Sequence, residues 1–554
     1  DDEIGSDEDC LVDVPNAVTA DADATDTTGG YQRGNYATLN PLVASHTYSN
    51  GNLDFTFSTT GNTSIPPIQS TIAMPYGKWY AEATIGSGAT GIFVGLWNSE
   101  NFTKDHPGST SDSYAYWSNS GNKYNNDSNS SYGDSFTEDD VIGIAFDADN
   151  GTLEFYKNGV SQGTAYTGIT SRSYVFAAHK GTTGTDTRSA KWNFGQMRFK
   201  YPMPSGYAAL NTTALPAATI ADGSAHFDVK LYTGTGSTQQ ISGLEFSPDL
   251  VWLKKRNGST SHQLTDTVRG ATKFVRANTS GTEVTDANTL SAFNSDGFTV
   301  GSDAATNGSS DTFVSWNWNA GSSTASNTDG SVTSSVRANP TAGFSICKWT
   351  GSDTNYYTVG HGLNAKPDLM IFKQTNQTYN WHVYHSALGA TKVLRLNLTN
   401  AELDDAGFLN DTEPTSSVFT TGNWGIWDAN ADTVGYFFSA VAGYSAFGSY
   451  EGNSNADGPF IYTGFRPRWI MYKWADGGGE WAIRDTARST YNVSDQVLTA
   501  DSSGTEQENA VWNVDILSNG FKIRTSSAGS NSSSTFIYAA FAENPFQANG
   551  GLAR

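Results

Sequence analysis

Residues 139–159 have the sequence DDVIGIAFDADNGTLEFYKNG, and this stretch decides the fold class. An apolar run before Asn150-Gly151 and an alternating run after it predict two strands joined by a tight turn. Asn158-Gly159 adds a second turn signal immediately afterwards. Gly77–Ile85 and Gly91–Trp97 have the same strand-like character. None of these segments shows the helical periodicity over about ten residues that a helix requires, so the pattern predicts an antiparallel meander.

The composition extends this prediction to the whole chain. The 554 residues include 57 Gly, an aromatic fraction of 13% and a charged fraction of only 16%. Glycine and small polar residues supply tight turns, aromatic residues fill pleated faces, and few charges remain for long helices with many salt bridges. Because the chain is several times the usual domain length, we predict several all-β domains.

Negative charge is concentrated at the start of the chain. The formal net charge is −23, and residues 1–30 hold ten Asp and Glu but no Lys or Arg, which predicts an acidic linker or arm. The acidic surface argues against nucleic-acid binding, and no apolar run is long enough to predict insertion in a membrane. Cys10 and Cys347 are too far apart and too few to form a disulfide framework. No cofactor is predicted.

From about residue 212 onward the sequence repeats itself. A proline is followed by a short apolar run ending in lysine at Pro248–Lys254, Pro367–Lys373 and Pro467–Lys473. This pattern suits a strand that begins after a proline-fixed turn. We therefore predict three related β-sandwich-like repeats, at residues 212–330, 331–445 and 446–554.

The N-terminal half carries a family resemblance. Lys78–Glu82 (KWYAE), Asp140–Asp147 (DVIGIAFD) and Gly151–Gly159 (GTLEFYKNG) occur in the order found in SPRY (B30.2-like) domains. The sequence resembles that family over residues 31–211. The resemblance implies a β-sandwich that binds through its loops and has no catalytic residues to carry over.

A second resemblance concerns the whole chain. The acidic arm, the segment Gly34–Pro41 (GNYATLNP) and the C-terminal repeats are similar to large structural proteins of tailed bacteriophages, particularly marine ones. Such modules occur there in tail fibres or other virion-surface proteins. The resemblance implies a virion-surface, extracellular location.

Aromatic side chains after Trp97 are the candidate binding residues. The polar stretch there carries Tyr116, Trp117 and Tyr124 among Asn, Ser and Gly. Tyr and Trp supply rigid contact area, whereas Asn and Ser supply adaptable hydrogen bonds. We predict that Trp97 and these three residues bind a ligand from a loop. The alternative is that Tyr114–Trp117 forms a strand with its rings in the core.

The sequence gives no basis for a metal site or for catalytic residues. Asp147–Gly151 partly imitates a calcium loop, but the twelfth position is Asn158 instead of Glu, so a hairpin turn is predicted. His382 and His385 would lie on opposite faces of a strand and are interpreted as ordinary surface residues. No common hydrolase, zinc or phosphate-binding motif occurs. A glycosidase-type carboxylate pair brought together only by folding remains an alternative.

The predicted function is host attachment by a bacteriophage virion protein, through non-catalytic binding. The predicted partners are other virion proteins and a host cell-surface glycan or protein, and a homo-oligomer would strengthen binding through multivalency. Two alternatives stay open: a purely architectural virion component, such as a capsid decoration or tail structural protein, and a secreted lectin-like adhesin.

Overall fold

Antiparallel strands account for almost all of the regular structure, which confirms the predicted all-β class. The computed structural model describes residues 35–43, 46–57, 66–87, 91–99, 105–170, 173–181, 187–212, 214–215 and 218–545. The helices within these ranges are single turns: α1 Ala304–Asn307, α2 Ala406–Leu409, α3 Ala528–Asn531 and the 3-10 turns Gly223–Ala225, Gly425–Trp427 and Ala510–Trp512. None of the helices in this part of the chain is long and apolar enough to cross a membrane.

Two compact units make up the chain, and their boundary falls between residues 217 and 218. The first unit contains the segment 31–211 that the sequence predicted to be SPRY-like, and the predicted bounds of that segment stay a prediction. The predicted acidic arm, residues 1–30, lies outside the described residues. The boundaries predicted at 330/331 and 445/446 fall inside the second unit and stay predictions.

The first unit is a sandwich of two sheets. Its strands are β1 Thr47–Ser49, β2 Asp54–Phe57, β3 Ile68–Gln69, β4 Lys78–Ile85, β5 Ile92–Asn98, β6 Tyr114–Trp117, β7 Asn122–Asn125, β8 Ser128–Ser131, β9 Val141–Asp147, β10 Thr152–Lys157, β11 Val160–Tyr166, β12 Tyr174–Lys180, β13 Arg188–Asn193 and β14 Ala208–Ala209. One sheet has the order β1-β2-β13-β4-β9-β10-β11, with β14 beside β4, and the other has the order β3-β12-β5-β6-β7-β8.

The stretch that predicted the fold lies at the centre of the first sheet. Strands β9 and β10 pair antiparallel, as the Asn150-Gly151 turn predicted. Ile142, Ile144 and Phe146 of β9 point into the core, where Val94 and Leu96 of β5 meet them. Burying a side chain of this size contributes roughly 1.5–3 kcal/mol. The alternation of the two strands therefore fixes which faces of the sheets meet.

The second unit contains three large sheets and several small ones. Its strands are β15 Phe227–Thr233, β16 Gln239–Ile241, β17 Leu250–Lys255, β18 Gln263–Asp266, β19 Lys273–Arg276, β20 Val284–Thr285, β21 Leu290–Asn294, β22 Gly297–Val300, β23 Thr312–Trp318, β24 Thr324–Asn327, β25 Ser334–Asn339, β26 Phe344–Thr350, β27 Thr358–Gly360, β28 Leu369–Gln374, β29 His382–His385, β30 Lys392–Val393, β31 Leu403–Asp404, β32 Val418–Thr420, β33 Asp432–Phe438, β34 Ser445–Glu451, β35 Phe460–Tyr462, β36 Phe465–Trp474, β37 Ala482–Asp485, β38 Gln496–Thr499, β39 Gln507–Glu508, β40 Val514–Leu517, β41 Gly520–Ile523 and β42 Thr535–Pro545.

The large sheets have six strands each. Sheet 1 has the order β15-β23-β17-β18-β19-β20, sheet 2 has the order β24-β25-β26-β33-β28-β29, and sheet 3 has the order β34-β42-β36-β37-β38-β39. The small sheets are β16-β22-β21, β27-β32, β30-β31 and β35-β41-β40.

Each large sheet packs on both of its faces, as β17 shows. Val251 and Leu253 pack with Phe298 of the small sheet β16-β22-β21. Leu250 and Trp252 point the other way and line a small apolar cavity. Sheets 2 and 3 contribute to the same cavity, through Leu369, Ile371, Trp469 and Met471 among others. The three large sheets therefore share one apolar core.

Backbone hydrogen bonds join the three large sheets into a closed ring. The donors and acceptors are Glu283 N to Thr375 O at 2.8 Å, Glu402 N to Ala475 O at 2.7 Å and Glu506 N to Arg256 O at 2.8 Å. The first bond joins sheet 1 to sheet 2, and the third joins sheet 3 to sheet 1. The second joins sheet 3 to the small sheet β30-β31, which an isolated bridge between Val383 and Leu394 connects to β29 of sheet 2. Each sheet thus contacts both of the others.

Candidate recognition surface

The four aromatic residues predicted to bind from a loop lie in strands instead. Trp97 is in β5, Tyr116 and Trp117 are in β6, and Tyr124 is in β7. Trp97 and Tyr116 are completely buried and Trp117 is 8% exposed, whereas Tyr124 is half-buried. The predicted loop placement is therefore wrong, and the strand alternative describes Tyr114–Trp117. Trp97 and Tyr116 present no accessible side chain to a ligand.

Strand alternation explains why the two aromatic residues of β6 have different surroundings. Strand β6 pairs with β5, so its consecutive side chains point to opposite faces of the sheet. Tyr116 enters the sandwich core, where its ring lies 4.9 Å from that of Phe136 and its hydroxyl donates to the carbonyl of Asp134. Trp117 points to the outer face, where its ring lies 4.0 Å from that of Phe93.

Two of the predicted residues, Trp117 and Tyr124, come together on this outer face. Their ring centroids are 6.4 Å apart, and Phe93 lies beside both rings. His106 stacks on Phe93 at 4.2 Å with an interplanar angle of 10°. Aromatic pairs in such geometries contribute about 0.5–1.5 kcal/mol beyond the area that they bury. The cluster therefore forms a rigid layer of packed aromatic rings.

The loop of residues 105–113 lies against the aromatic cluster, and a network of hydrogen bonds holds it to the β7–β8 turn. The side-chain amide of Asn125 donates to three carbonyls of the loop, including Ser113 O at 2.8 Å. The turn residues Asn126 and Asp127 both have positive φ, and their N–H groups donate to Thr110 O and Gly108 O. We call the loop 105–113, the β7–β8 turn and the ring of Tyr124 the recognition surface.

Gly108 is required where the loop approaches β7. Its φ is +93°, and a Cβ atom there would lie 2.6 Å from Cβ of Tyr124. Only glycine combines this backbone conformation with so close an approach. The glycine therefore allows the loop to pack directly on Tyr124.

Carboxylates give the recognition surface a negative character. Oδ1 of Asp127 lies 3.6 Å from Nε2 of His106, and Oδ1 of Asp105 lies 3.9 Å from the same atom. The side chains of Asp105 and Asp127 are 49% and 70% exposed. Asp112 is held by Asn98, whose amide donates to it at 2.7 Å. Exposed carboxylates and amides next to a ring suit a ligand that donates hydrogen bonds and has an apolar face.

The sequence did not indicate His106 of the recognition surface or Phe93 of the aromatic cluster beneath it. Phe93 lies in an apolar run that was interpreted only as a strand, and His106 is an isolated histidine in a polar segment. The available signal was the pair His106-Pro107 followed by Gly108, which marks a tight turn. It did not reveal that the turn folds back on β5.

The turn that imitates a calcium loop is held by groups of the protein itself. Asp147 accepts hydrogen bonds from the backbone N and the side-chain amide of Asn150, at 2.9 and 2.8 Å, and pairs with Lys78 at 2.9 Å. Oδ1 of Asp149 accepts from Gly77 N at 2.8 Å. In the described part of the chain, no group of three or more His, Cys, Asp or Glu could hold a metal ion.

The histidines interpreted as surface residues are buried. His382 is 4% exposed and His385 is 2% exposed. They point to opposite faces of β29, as predicted, but both faces of this strand are covered: His382 packs against Trp424, and His385 reaches the carbonyl of Tyr538 at 3.0 Å. The surface interpretation was wrong because the large sheets pack on both sides.

Comparisons with known proteins identify the first unit. Residues 78–196 match the family model described as SPRY domain, which confirms the predicted SPRY sandwich for that segment. The E3 ubiquitin-protein ligase RKP of Arabidopsis thaliana is 35% identical over 96 residues, which are 17% of this chain and 7% of that protein. A Ran-binding proteins 9/10 homolog of Drosophila melanogaster is 32% identical over 130 residues, which are 23% of this chain and 13% of that protein. The chain thus spans only a small part of these relatives.

Solved SPRY structures resemble the same segment. The SPRY domain of human HERC1 covers 28% of this chain and 96% of its own length at 21% identity, with a TM-score of 0.24. The PSpry domain of TRIM65 covers 28% of this chain and 92% of its own length at 15% identity, also with a TM-score of 0.24.

The second unit matches a different family. Residues 222–545, more than half of the chain, match the model described as "Domain of unknown function (DUF7483)". The match covers all three large sheets and ends with β42. The chain belongs to the DUF7483 family and carries a SPRY domain ahead of the family's defining segment.

Proposed function

We propose that this chain is a non-catalytic attachment protein of a virion surface, in which the SPRY sandwich binds a host cell-surface glycan through the recognition surface. The SPRY match at residues 78–196 supports a binding role. The acidic arm and Gly34–Pro41, which resemble tailed-phage structural proteins, support the virion location. Two curated relatives, one from a plant and one from an insect, align with 96 and 130 residues of this chain.

The recognition surface is the observation that carries the proposal. It places the half-buried ring of Tyr124 and the exposed carboxylate of Asp127 next to the same residue, His106, on a frame that is fixed by strands. Rings that pack against the apolar face of a ligand, together with carboxylate and amide acceptors for hydroxyl groups, are suited to neutral sugars. The carboxylates disfavour anionic ligands by charge repulsion. A neutral glycan is therefore the ligand class that we propose.

Binding of the full chain to a panel of immobilised neutral glycans and to candidate host cells tests this function. We expect saturable binding that Tyr124→Ala and Asp127→Asn each weaken about tenfold, equivalent to about 1.4 kcal/mol. Tyr76→Ala is the matched control, because Tyr76 is a 48% exposed tyrosine of the same unit outside the recognition surface. Binding that is unchanged in both variants but lost when residues 1–217 are removed would place the site elsewhere on the sandwich.

A second candidate function is architectural, and the second unit favours it. Its three large sheets share one core and close a ring of hydrogen bonds, which gives a rigid body suited to a spacer or a capsid or tail component. Co-sedimentation of residues 218–554 with assembled particles tests this function. Retained co-sedimentation without the SPRY domain supports it, and loss of co-sedimentation contradicts it.

We further infer that this rigid body consists of three copies of one structural unit. In each large sheet, four strands follow in the same order: β15, β23, β17 and β18 in sheet 1, β26, β33, β28 and β29 in sheet 2, and β34, β42, β36 and β37 in sheet 3. Lys254, Lys373 and Lys473 occupy the same position of the third strand in this order, and all three are completely buried. The strand order and the sequence repeat thus agree.

The contacts between the sheets support the same inference. Trp381 Nε1 of sheet 2 donates to Arg276 O of sheet 1 at 2.9 Å. Trp481 Nε1 donates from sheet 3 to Arg395 O at 3.0 Å, next to Leu394, which bridges to β29 of sheet 2. His262 takes the corresponding place in sheet 1, and its Nε2 bonds Thr499 O of sheet 3 at 3.0 Å. The same junction therefore occurs three times in one rotational direction.

A further inference from the structure

In the part of the chain that the structure describes, an additional strand covers in sheet 2 the edge at which the other two large sheets end. Strand β26 pairs with β33 on one side and with β25 on the other. The pairing with β25 aligns Ile346 with Arg337 and Lys348 with Ser335. The strands that correspond to β26, namely β15 in sheet 1 and β34 in sheet 3, end their sheets.

The backbone of β34 directs hydrogen-bonding groups away from its sheet. Hydrogen bonds from Ala542 N to Tyr444 O and from Gly452 N to Ser534 O show that even-numbered residues bond to β42. Because the pattern alternates in antiparallel pairs, the N–H and C=O groups of Phe447 and Ser449 point outward. No backbone hydrogen bond within the described residues uses these outward groups.

Among the described residues, the same edge of sheet 1 is protected by an ion pair, whereas β34 has no comparable pair. In β15, Asp228 pairs with Lys230 at 2.8 Å, and Oδ1 of Asp228 also accepts from the outward N–H of Val229 at 2.8 Å. Strand β34 has the sequence SAFGSYE, without Lys, Arg or Pro. Proteins usually protect an exposed edge with such residues because an unprotected edge pairs with other chains. Strand β34 therefore has the character of a pairing site.

We propose that β34 is a docking site for an extended strand of a partner polypeptide, which adds antiparallel to sheet 3 as β25 adds to sheet 2. This inference rests on the correspondence of the three sheets and is independent of the recognition surface. Strand addition of this kind gains affinity from backbone hydrogen bonds and specificity from alternate side chains.

The chain's own β25 indicates the chemistry of the partner strand. Its Val336 lies opposite Cys347 and is only 6% exposed, while Arg337 points to the other face. The position of Cys347 is taken by Gly448 in β34, where a Cβ atom would lie 2.9 Å from Cε1 of Tyr538. We therefore expect a β-branched residue opposite Gly448, flanked by polar residues.

A synthetic peptide with the sequence of residues 332–340 (VTSSVRANP) is the probe that tests this docking site. Titrated into the full chain in a calorimeter, it is expected to bind with one peptide per chain. A peptide with proline in place of Arg337 is the peptide control, because proline has no N–H to donate to β34. We expect the proline peptide to bind at least tenfold more weakly.

Two chain variants locate the binding. Ser449→Pro removes an outward N–H without removing a bond to β42 and is expected to weaken peptide binding at least tenfold. Leu231→Pro makes the same change at the corresponding position of β15 and is expected to leave binding unchanged. Thermal unfolding of both variants shows whether they are folded. If Ser449→Pro fails to fold, Ala446→Lys, which places a charge on the same edge, is the replacement.

Three results would overturn the proposal. The first is no binding of the peptide, and the second is equal binding to the unmodified chain and the folded Ser449→Pro variant. The third is a concentration-dependent dimer in analytical ultracentrifugation that disappears in Ser449→Pro, without peptide binding, because it would assign the edge to a second copy of this chain. Since the recognition surface lies in residues 1–217, glycan binding by the Ser449→Pro variant tests the proposed function separately.

Discussion

Single polar side chains connect the large sheets at the residue scale. Asp266 and Arg269 of sheet 1 form a buried ion pair at 2.6 Å, and both contact the hydroxyl of Tyr436 from sheet 2, at 3.0 and 3.1 Å. Sheet 3 has the equivalent pair Asp485–Arg488, to which Trp316 of sheet 1 donates at 3.0 Å. A buried ion pair depends on such additional hydrogen bonds, because desolvation of the charges is costly.

Removal of the Tyr436 hydroxyl is expected to destabilise the second unit. Hydrogen bonds to buried charged groups contribute about 1.5–3 kcal/mol, so Tyr436→Phe should lower the free energy of unfolding by about that amount in urea titrations. Tyr491→Phe, at an 85% exposed position, is the control and should change nothing measurable. Equal stability of the two variants would show that the tyrosine hydroxyl does not support the ion pair.

Buried histidines at the junctions with sheet 3 are held in the neutral form. Nδ1 of His385 accepts from Ala387 N at 3.2 Å, so its Nε2 carries the proton that it donates to Tyr538 O. Nδ1 of His262 accepts from Trp252 Nε1 at 2.9 Å in the same way. A second proton would have to bind Nδ1 of either ring, where it would point at the N–H group that now donates to that atom. Burial lowers the pKa of His385 from 6.5 to about 4 and that of His262 well below 6.5.

Acid is therefore expected to weaken the junctions of sheet 3. The unfolded chain binds the proton first, so the contribution of His385 to stability is complete above about pH 6.5 and is lost as the pH falls towards 4. The contribution of His262 is lost in the same direction, as the pH falls below 6.5. Between pH 6.5 and 5 the loss approaches about 2 kcal/mol for His385. The His385→Gln variant keeps a donor for Tyr538 O but cannot bind the proton. Between pH 6.5 and 5, its free energy of unfolding in urea titrations should therefore fall by up to about 2 kcal/mol less than that of the unmodified chain. Parallel pH curves for the two proteins would contradict this assignment.

At the scale of elements, the corresponding strands β17, β28 and β36 each bury a lysine. Lys254, Lys373 and Lys473 donate to backbone carbonyls, for example Lys473 to Trp474 O at 2.6 Å and to Thr399 O of the loop between β30 and β31 at 3.3 Å. Burial lowers the pKa of each of these lysines from 10.5 to about 8. The carbonyls thus solvate a charge that water no longer reaches.

The stability of the second unit is expected to rise with pH in the alkaline range. Between about pH 8 and 10.5 the unfolded lysines bind more protons than the folded ones, so the free energy of unfolding increases, by at most about 1.4 kcal/mol per pH unit for each lysine. Lys473→Met should make this rise less steep in denaturant titrations at pH 8 to 9.5. Lys273→Met, at a side chain that is 42% exposed, should not.

The β9–β10 turn shows how strongly one glycine constrains a hairpin. Gly151 has a φ of +62°, and a Cβ atom there would overlap the carbonyl oxygen of Ile169. Gly168, which follows β11, is the matched comparison: its φ is similar, at +71°, but a Cβ atom there would have open space around it. Gly168→Ala should therefore lower the free energy of unfolding by about 1 kcal/mol through backbone strain alone. Gly151→Ala should cost more, by about 1–3 kcal/mol for the overlap. Equal costs in urea titrations would show that the turn can move away from Ile169.

The elements also show what the sequence could and could not predict. Turn pairs such as Asn158-Gly159 and the alternation in β10 depend on neighbouring residues, so the sequence predicted the hairpins and the all-β class correctly. Which side of β6 faces the core depends on its pairing with β5, a contact between distant segments. Tyr116 and Trp117 therefore looked alike in the sequence, although one is a core residue and the other lies under the recognition surface.

At the scale of the whole molecule, the shared core of the second unit determines which parts of the chain can fold alone. Leu250 and Trp252 of sheet 1 and Leu369 and Ile371 of sheet 2 are covered in part by residues of sheet 3. Three independent repeats would each tolerate the loss of a neighbour. Three sheets around one core would not, because removal of sheet 3 exposes large apolar side chains to water.

Truncation distinguishes these two arrangements. Residues 218–554 are expected to form a folded protein with a cooperative unfolding transition, since the second unit contains its own core. Residues 218–445, which lack sheet 3, are expected to aggregate or to bind a hydrophobic dye, because the faces that carry Trp252 and Ile371 lose their cover. Size-exclusion chromatography with dye fluorescence measures both outcomes. A soluble, dye-negative 218–445 fragment with cooperative unfolding would mean that sheets 1 and 2 need no third partner, and the ring would then be an assembly of independent domains.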